Sequence, residues 1–551
     1  MNEKKKTLIL ISIVALLGFI VYFNSLDGPF MWDDYHLVKN NTHIRSWSNV
    51  IKIFTESIGS GANRTYHMYR PIQSLSYMVD YTLWKDNAIG YHLGNVIWHI
   101  IVALCMFWLI MLLFKDSFLA FITSLFYVTH PMHTEAIAYI AGRADSLAVS
   151  FTLLALIFYI KSLNSDSLKF LALSVFSYVL AILSKEHSMF VVLLLFLCHY
   201  MTKTKIDYKK ISIFAAITVS YALLRITVLN FLLEDIINET TAWDRLPGFF
   251  VSITNYFRLL FVPLGLHMEY GEKLFHWSDY KAILGILIAI FSITYAILKR
   301  KKNPLILFSA VIFFATLLPY SNVYAINAYM AEHWVYLPSI GFFLIAAYGF
   351  QRLYNIKKLK ILTILVMAGL LIFYSSITIY QNDHWSNPKK FYIRLIRFVK
   401  DSEVAYNNLG VIYAKEEEYE KAIDMFKKSV DVRYTYQDPY FNLGKAYNST
   451  EQYVKAIEAY KKGMQFAKDK VSPITYHSIA FAYSKVGNIE SAIKYINKSL
   501  EMDPDYGPGY LVLAILYFNM NEHAKAKEYY KKAKSLGTRD PSVEQAIGGL
   551  Q

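Results

Sequence analysis

The chain has 551 residues, of which 55% are hydrophobic and 16% aromatic, and it carries a formal net charge of +14. This composition is too apolar for a soluble protein and predicts a polytopic membrane protein. The two cysteines, Cys105 and Cys198, both lie in apolar runs, so we expect neither a disulfide framework nor a thiolate metal site.

The apolar runs predict about 11 membrane spans, because a helix crosses a bilayer with roughly 20 residues. The first run follows Lys4–Lys6, is too long for a signal-peptide core and precedes no small-residue cleavage site. We therefore expect an uncleaved first span with a cytoplasmic N-terminus. The run 249–262 contains Arg258, and whether it crosses stays open. The predicted spans are 7–24, 93–114, 117–130, 145–161, 168–184, 188–201, 210–230, 281–298, 304–320, 334–351 and 360–379.

Basic clusters predict the orientation of these spans, since cytoplasmic loops carry an excess of lysine and arginine. All the clusters face the cytoplasm if 249–262 is interfacial or re-entrant, and the C-terminal region is then external. The whole positive excess precedes Asp401 and flanks the membrane, so it indicates topology and not a nucleic-acid partner. The clusters are Lys4–Lys6; Lys203, Lys205, Lys209 and Lys210; Lys299–Lys302; and Arg352, Lys357, Lys358 and Lys360.

With this orientation, the polar motifs fall on the external side or at the external ends of spans. The cytoplasmic loops, by contrast, carry almost only lysine and polar residues without a motif, so we predict a single active face. The residues concerned are Asp33, Asp34, Arg70, His92, the segment 130–145, Lys185, Glu186, Glu269, Glu332 and His333.

The C-terminal segment 403–541 contains four units of an internal repeat. Asn408-Leu409-Gly410 recurs 34 residues later as Asn442-Leu443-Gly444, a pattern that resembles the tetratricopeptide repeat. Such units are helix pairs that stack into an α-solenoid, whose concave face would dock a protein or peptide; a rigid cap without a ligand is the alternative. The predicted domains are a membrane domain over 1–380 with an external loop over 25–91, a linker over 381–402, the repeats, and a tail over 542–551.

The pair Asp33-Asp34 stands just beyond the first span, between aromatic residues. Carboxylates this close to a bilayer are costly and usually have a purpose. One of the two could be a base with a raised pKa beside an ionised neighbour. Alternatively, the pair could cap a helix or form ion pairs with Arg70, and which residue would be the base stays open, with a slight preference for Asp33.

Five motifs, in this order along the chain, together resemble the TMTC family of membrane protein O-mannosyltransferases. The resemblance implies a GT-C glycosyltransferase fold, a polyprenyl-phosphate sugar donor and Ser or Thr acceptors on exported proteins. Where members often have Ala-Glu-Arg, this chain has Ala331-Glu332-His333, which replaces a permanent cation with a titratable one. The motifs are Phe30-Met31-Trp32-Asp33-Asp34, Arg70-Pro71, His130-Pro131-Met132-His133-Thr134-Glu135, Gly142-Arg143-Ala144-Asp145 and Ser184-Lys185-Glu186.

Transfer from a lipid phosphate needs a base for the acceptor hydroxyl, cations for the departing phosphate and an apolar groove for the lipid. Asp33 or Asp34 could be the base. The candidate phosphate ligands are Arg143, Lys185, His333 and, less directly, Arg70. Residues expected to shape the acceptor pocket are His92, His130, His133, Glu135, Asp145, Glu186 and Glu332.

Several of these residues have structural alternatives. Arg143 and Asp145 could form a salt bridge within their loop, and Lys185-Glu186 could anchor a span end by snorkelling. The spacing His-x-x-His-x-Glu differs from the His-Glu-x-x-His zinc pattern, so no metal or other cofactor is firmly predicted, although Asp33, His133 and Glu135 could hold a divalent cation.

The sequence therefore predicts an all-α protein: a GT-C-like helical membrane bundle followed by a tetratricopeptide-repeat solenoid. We expect an inverting glycosyltransferase that moves one mannose-like sugar onto a protein docked by the repeats, on the external face of a prokaryotic plasma membrane. Two alternatives stay open. One is an enzyme of the same architecture that glycosylates a lipid or a surface glycan, and the other is a membrane-anchored assembly factor without catalysis.

Overall fold

A computed structural model describes residues 2–64, 66, 68–227, 240–271, 273–326, 328–467 and 471–548. These residues form helices joined by irregular segments, and no strand occurs among them, which confirms the predicted all-α class. The chain divides into two compact units, Met1–Lys390 and Phe391–Gln551, which we call unit 1 and unit 2.

Unit 1 contains the apolar helices. Its α-helices are α1 (Glu3–Tyr22), α2 (Val50–Thr55), α3 (Pro71–Trp84), α4 (Ala88–Phe114), α5 (Ser117–Thr129), α6 (Thr134–Ala138), α7 (Arg143–Ser165), α8 (Leu168–Ser184), α9 (Val191–Thr202), α10 (Tyr208–Thr227), α11 (Ala242–Phe261), α12 (Tyr280–Lys299), α13 (Pro304–Leu317), α14 (Ser339–Tyr354) and α15 (Lys360–Trp385).

Six helical segments of the described chain are long and apolar enough to cross a membrane. They are Glu3–Ser25, Ala88–Phe114, Ile140–Ser165, Tyr208–Thr227, Tyr280–Lys299 and Lys357–Trp385. Shorter apolar helices occupy the predicted spans at 117–130, 168–184, 188–201 and 304–320. The run 334–351 becomes a helix only from Ser339, after Pro338, and residues 228–230 of the run 210–230 lie outside the described residues. The number of crossings stays a prediction.

The bundle is held together by small residues and by hydrogen bonds that reach from one helix to another. The Ser124 hydroxyl of α5 donates to the carbonyl of Ala103 in α4, at 3.2 Å. Gly285 of α12 lets the backbone of α11 approach at Phe250. Small residues at such contacts bring helix backbones close enough to pack where no water-driven force holds helices together.

Two hydrogen-bond contacts fix the position of helix α11, which contains most of the ambiguous run 249–262. The Thr254 hydroxyl donates to the carbonyl of Lys281, at the start of α12, at 2.7 Å. Near the C-terminal end of α11, the Leu260 carbonyl is 3.1 Å from Nε2 of His130, which directly follows α5. These contacts lay α11 across the helix ends that meet there.

We call this end of unit 1 the polar end, because most of the candidate site residues lie there. It is where α1, α5 and α8 end and where α4, α7 and α14 begin. Asn95, near the start of α4, donates to the carbonyls of Ile137 and Tyr139 in the segment before α7. These bonds fix the connecting segments against the helix ends.

Unit 2 contains the repeats as four antiparallel helix pairs. Its helices, together with the one that leads into it, are α16 (Pro388–Phe398), α17 (Glu403–Lys415), α18 (Tyr419–Val432), α19 (Gln437–Ser449), α20 (Tyr453–Phe466), α21 (Pro473–Lys485), α22 (Ile489–Met502), α23 (Gly507–Asn519), α24 (His523–Ser535) and α25 (Pro541–Gly548). The segment predicted as a linker, 381–402, contains the end of α15 and all of α16. The last residues of the predicted tail, 549–551, lie outside the described residues.

The close contact at Gly285 makes a testable prediction about stability. In Gly285→Ala, the added methyl group would overlap the carbonyl of Phe250, so we expect the protein to lose about 1–3 kcal/mol of stability. The matched control is Gly369→Ala in α15, where nothing lies within 4 Å of the new methyl group and alanine is the better helix former. Thermal unfolding in detergent measures both, and equal melting temperatures for the two variants would contradict the predicted contact.

Candidate active site

Three cation–carboxylate pairs and one histidine–carboxylate pair lie at the polar end. Each joins segments that are distant in sequence, and most of the paired side chains are buried or nearly so. Charges in an apolar environment are tolerated when they are paired and hydrogen-bonded. The pairs are Arg143–Asp80, Arg70–Glu186, Lys185–Asp145 and His333–Glu135.

Asp34 is the fully buried member of the acidic pair. One carboxylate oxygen accepts from the backbone N–H of Ala141 at 2.9 Å, and the other accepts from the backbone N–H of Met31 at 3.0 Å. Burial raises the pKa of Asp34 well above its ordinary value, although these two backbone hydrogen bonds act against the shift. Asp34 therefore ties its own loop to the segment that precedes α7.

Asp33 is only partly buried and has a different environment. Its carboxylate accepts a hydrogen bond from the Tyr66 hydroxyl at 3.1 Å, and its backbone N–H donates to the Tyr139 hydroxyl at 3.0 Å. Burial raises the pKa of Asp33, whereas Tyr66 and the nearby charge of Arg70 lower it. A partly exposed carboxyl with a raised pKa has the properties of a general base.

The backbone beside this carboxylate is in an uncommon conformation. Trp32 has a φ of 48°, in the left-handed region that bulky residues rarely adopt. Backbone strain of this kind persists only where the surrounding structure enforces it, and it is often found at functional sites. The short helical turn Tyr35–Lys39 follows the acidic pair directly, so the chain turns sharply on both sides of Asp33.

Arg143 is buried beneath the site and does not face an open surface. Its guanidinium donates to Asp80 and, at 2.6 Å, to the side-chain oxygen of Asn95. It also donates to the carbonyl of Tyr91, so it links α3, α4 and α7. The structure thus places Arg143 in a buried hydrogen-bond network, and its contact with a donor phosphate stays a prediction. The alternative salt bridge to Asp145 within the loop is not formed, because Asp145 pairs with Lys185.

Arg70 pairs with Glu186 and not with the acidic pair. The two groups are bidentate, with N···O distances of 2.9 and 3.2 Å. Burial works against ionisation of Glu186, but the charge and hydrogen bonds of Arg70 hold its pKa well below the ordinary value. Arg70 also lowers the pKa of Asp33, which places these groups within electrostatic reach of one another.

A cleft beside these pairs brings together two of the predicted phosphate ligands, Lys185 and His333. The Lys185 ammonium is 2.7 Å from Asp145, and His333 Nδ1 is 2.8 Å from Glu135. The rest of the wall is mainly apolar and aromatic. Its other residues are Asp145, Ala148, Val149, Thr152, His187, Ser188, Phe190, Val191, Thr316, Tyr320, Trp334, Leu337 and Pro338.

The remaining predicted pocket residues are engaged with the surrounding structure. His92 Nε2 is 3.0 Å from the carbonyl of Gly28, and His133 lies between the Tyr127 carbonyl and the Ser339 hydroxyl. His130 Nε2 contacts the carbonyl of Leu260, as described above. Glu332 accepts from the backbone N–H of His267 and the hydroxyl of Tyr270. These residues hold the loops of the polar end together instead of lining the cleft.

The three residues considered for a divalent cation have separate partners. Asp33 accepts from Tyr66, Glu135 pairs with His333, and His133 lies in the core. In the described part of the chain, no group of three or more His, Cys, Asp or Glu side chains is placed to hold a metal ion.

Sequence reasoning missed four residues of this site: Tyr66, Tyr139, His187 and Tyr320. His187 directly follows Lys185-Glu186, and Tyr139 lies within the segment 130–145, so both were adjacent to motifs that had been identified. Tyr66 and Tyr320 carried no comparable signal, since they come from stretches without a motif.

Fold and site together define a helical membrane protein with C-terminal tetratricopeptide repeats. Family models described as "Tetratricopeptide repeat" match residues 401–469, 474–506 and 508–536. In solved structures the repeats are similar to "Crystal structure of MamA", at 21% identity and a TM-score of 0.26, with 27% of this chain and 86% of that chain covered.

The chain as a whole is similar to the TMTC proteins, which confirms the resemblance. "Protein O-mannosyl-transferase TMTC3" of Mus musculus is 25% identical over 97% of this chain and 64% of the relative. "Protein O-mannosyl-transferase F38B6.6" of Caenorhabditis elegans is 26% identical over 74% of this chain and 60% of the relative. "Protein O-mannosyl-transferase TMTC1" of Homo sapiens is 34% identical over 32% of this chain and 22% of the relative. The chain thus spans less than two thirds of the length of these relatives.

The buried pair of Arg143 and Asp80 makes a prediction that separates a structural role from a donor contact. Arg143→Leu leaves Asp80 without its partner, so we expect a loss of about 3–5 kcal/mol of stability. Adding Asp80→Asn should restore part of that loss, because the uncompensated charge is removed. Unfolding midpoints of the single and double variants measure the coupling, with the exposed Lys301→Leu as control. Additive effects would show that the pair is not coupled.

Proposed function

We propose that this protein is an inverting glycosyltransferase that moves one sugar, with mannose the first candidate, from a polyprenyl phosphate to a Ser or Thr hydroxyl of a protein. The similarity to proteins named as protein O-mannosyl-transferases over 97% of the chain supports this activity. The observation that carries the proposal is the partly exposed carboxyl of Asp33, with its raised pKa, within electrostatic reach of Arg70 at the polar end.

In the proposed reaction, Asp33 takes the proton of the acceptor hydroxyl as its oxygen attacks the anomeric carbon. The bond between that carbon and the phosphate oxygen breaks, and the polyprenyl phosphate leaves with the electron pair. Direct displacement of this kind inverts the configuration at the anomeric carbon. Asp34 is not the base, because backbone N–H groups occupy both of its oxygens and it is fully buried.

Lys185 and His333 would bind the phosphate of the donor in the cleft. An ammonium group has three N–H donors, so Lys185 can hold Asp145 and still donate to a phosphate oxygen. His333 is 27% exposed and is positioned by Glu135 on one side. The apolar wall, with Val149, Val191 and Leu337, suits the first isoprene units of a lipid carrier.

We place the polar end and the repeats on the external face of the membrane, as the basic clusters predict. The repeats would recruit the acceptor, since stacked helix pairs of this kind present extended binding surfaces. A monophosphate donor has less charge to neutralise than a nucleotide diphosphate, so the lysine and histidine of the cleft would replace a metal ion.

Asp33→Asn and Asp34→Asn give the direct test of the proposed base. We expect Asp33→Asn to lose transfer at least about 100-fold at an unchanged melting temperature, because general-base catalysis contributes about 10²–10⁴. Asp34→Asn should lower the melting temperature, since an amide cannot accept both backbone hydrogen bonds. The assay is transfer from a panel of polyprenyl-phosphate monosaccharides to Ser/Thr peptides by the purified full chain, with and without chelator. Full activity of Asp33→Asn would rule out the proposed base.

The pKa of Asp33 predicts the pH dependence of transfer. A base must be ionised, so activity falls as the pH drops through its pKa, and the raised pKa places this fall at a higher pH than for an ordinary aspartate. Tyr66→Phe removes a hydrogen bond that lowers this pKa, so the acidic limb of the pH–rate profile should shift to a higher pH. The same limb in wild type and Tyr66→Phe would show that another group controls it.

A further inference from the structure

His187 lies in the wall of the cleft and has no role in the steps above. Its ring stacks on Tyr320, with centroids 4.3 Å apart, and Tyr320 stacks on Trp334 at 4.9 Å. All three rings line the cleft. Because the rings support one another, the imidazole is held in one orientation beside Lys185.

The imidazole also presents an unsatisfied polar atom. His187 Nδ1 is buried and has no hydrogen-bond partner in the described part of the chain. The hydroxyl of Thr152, which lines the same cleft from α7, is in the same condition. A buried polar atom without a partner costs about 1–3 kcal/mol, and native proteins seldom keep one without a reason. Two such atoms in one cleft indicate a ligand with polar groups of its own.

The charge state of His187 indicates which polar groups these are. Burial lowers the pKa of His187 to about 3; the neighbouring charge of Glu186 acts against this shift, whereas those of Lys185 and Arg70 add to it. The ring is therefore neutral at physiological pH and binds through a hydrogen bond instead of through charge. Lys185 and His333 are the groups proposed for the phosphate, which leaves His187 for an uncharged group such as a sugar hydroxyl.

We propose that His187 is a specificity-determining residue that hydrogen-bonds one hydroxyl of the donor sugar, with Thr152 contributing a second contact in the same cleft. This inference rests on the proposed function, and it names the part of the cleft that distinguishes one sugar from another. Discrimination of this kind is strong, because a donor that lacks the hydroxyl leaves a buried polar atom of the site unpaired.

The test uses His187→Phe, which keeps an aromatic ring on Tyr320 but removes both ring nitrogens. Transfer and donor binding are measured for the full chain with the polyprenyl-phosphate sugar that wild type uses and with analogues that each lack one hydroxyl. We expect one analogue to lose at least about tenfold in kcat/KM with wild type, because it leaves the buried imidazole nitrogen unpaired. His187→Phe should lose a similar factor with the parent donor and nothing further with that analogue. For Thr152→Val we expect the same behaviour with a second analogue, which lacks a different hydroxyl. The control is His276→Phe, at an exposed histidine.

The outcomes separate this inference from the proposed function. If wild type transfers sugar and His187→Phe has unchanged kinetics, the inference is wrong. It is also wrong if His187→Phe weakens all donors but keeps the wild-type loss with every analogue. If wild type transfers no sugar, the proposed function is wrong, and the measurement of donor binding then tests the role of His187 separately. Binding that depends on His187 and on one hydroxyl sustains it, whereas absence of binding overturns it.

Discussion

The structure of the polar end depends on one constraint, which is that a charge in an apolar bundle needs a partner. Arg143, Arg70, Lys185 and His333 each have a carboxylate partner from a distant segment. An unpaired charge in such a place would cost several kcal/mol. The pairs therefore hold helix ends and connecting loops in fixed positions, and they determine which groups remain available for a ligand.

Few groups remain available. Asp34 is used by two backbone N–H groups and Arg143 by four acceptors, so both belong to the framework. Asp33 is partly exposed, and Lys185 and His333 line a cleft. Each of the three can form a hydrogen bond beyond the one it makes within the framework. A framework of paired charges that leaves a few groups with free hydrogen-bonding capacity is a suitable arrangement for catalysis by preorganised electrostatics.

Much of the fold could be predicted from the sequence, because apolar runs and the repeat are local patterns. The motifs also point to one region of the fold, since their residues meet near the ends of the same helices, but their roles stay predictions. What the sequence could not reveal was the partner of each residue. Asp34 is held by Ala141, 107 positions away, and Arg143 is paired with Asp80, 63 positions away. Neighbours such as Asp33 and Asp34 look equivalent until the turn of the backbone points them in different directions.

Lys185 and Glu186 are consecutive, yet they pair in opposite directions. Lys185 binds Asp145 in the wall of the cleft, and Glu186 binds Arg70, whose charge acts on Asp33. The peptide unit between them is therefore a short mechanical link between the two halves of the site. A movement of this segment toward a bound anion would change the distance between Glu186 and Arg70. The position of the Arg70 charge, and with it the proton affinity of Asp33, would then change as well. In the proposed reaction, donor binding at Lys185 and the proton affinity of Asp33 would therefore be coupled through this peptide unit and Arg70.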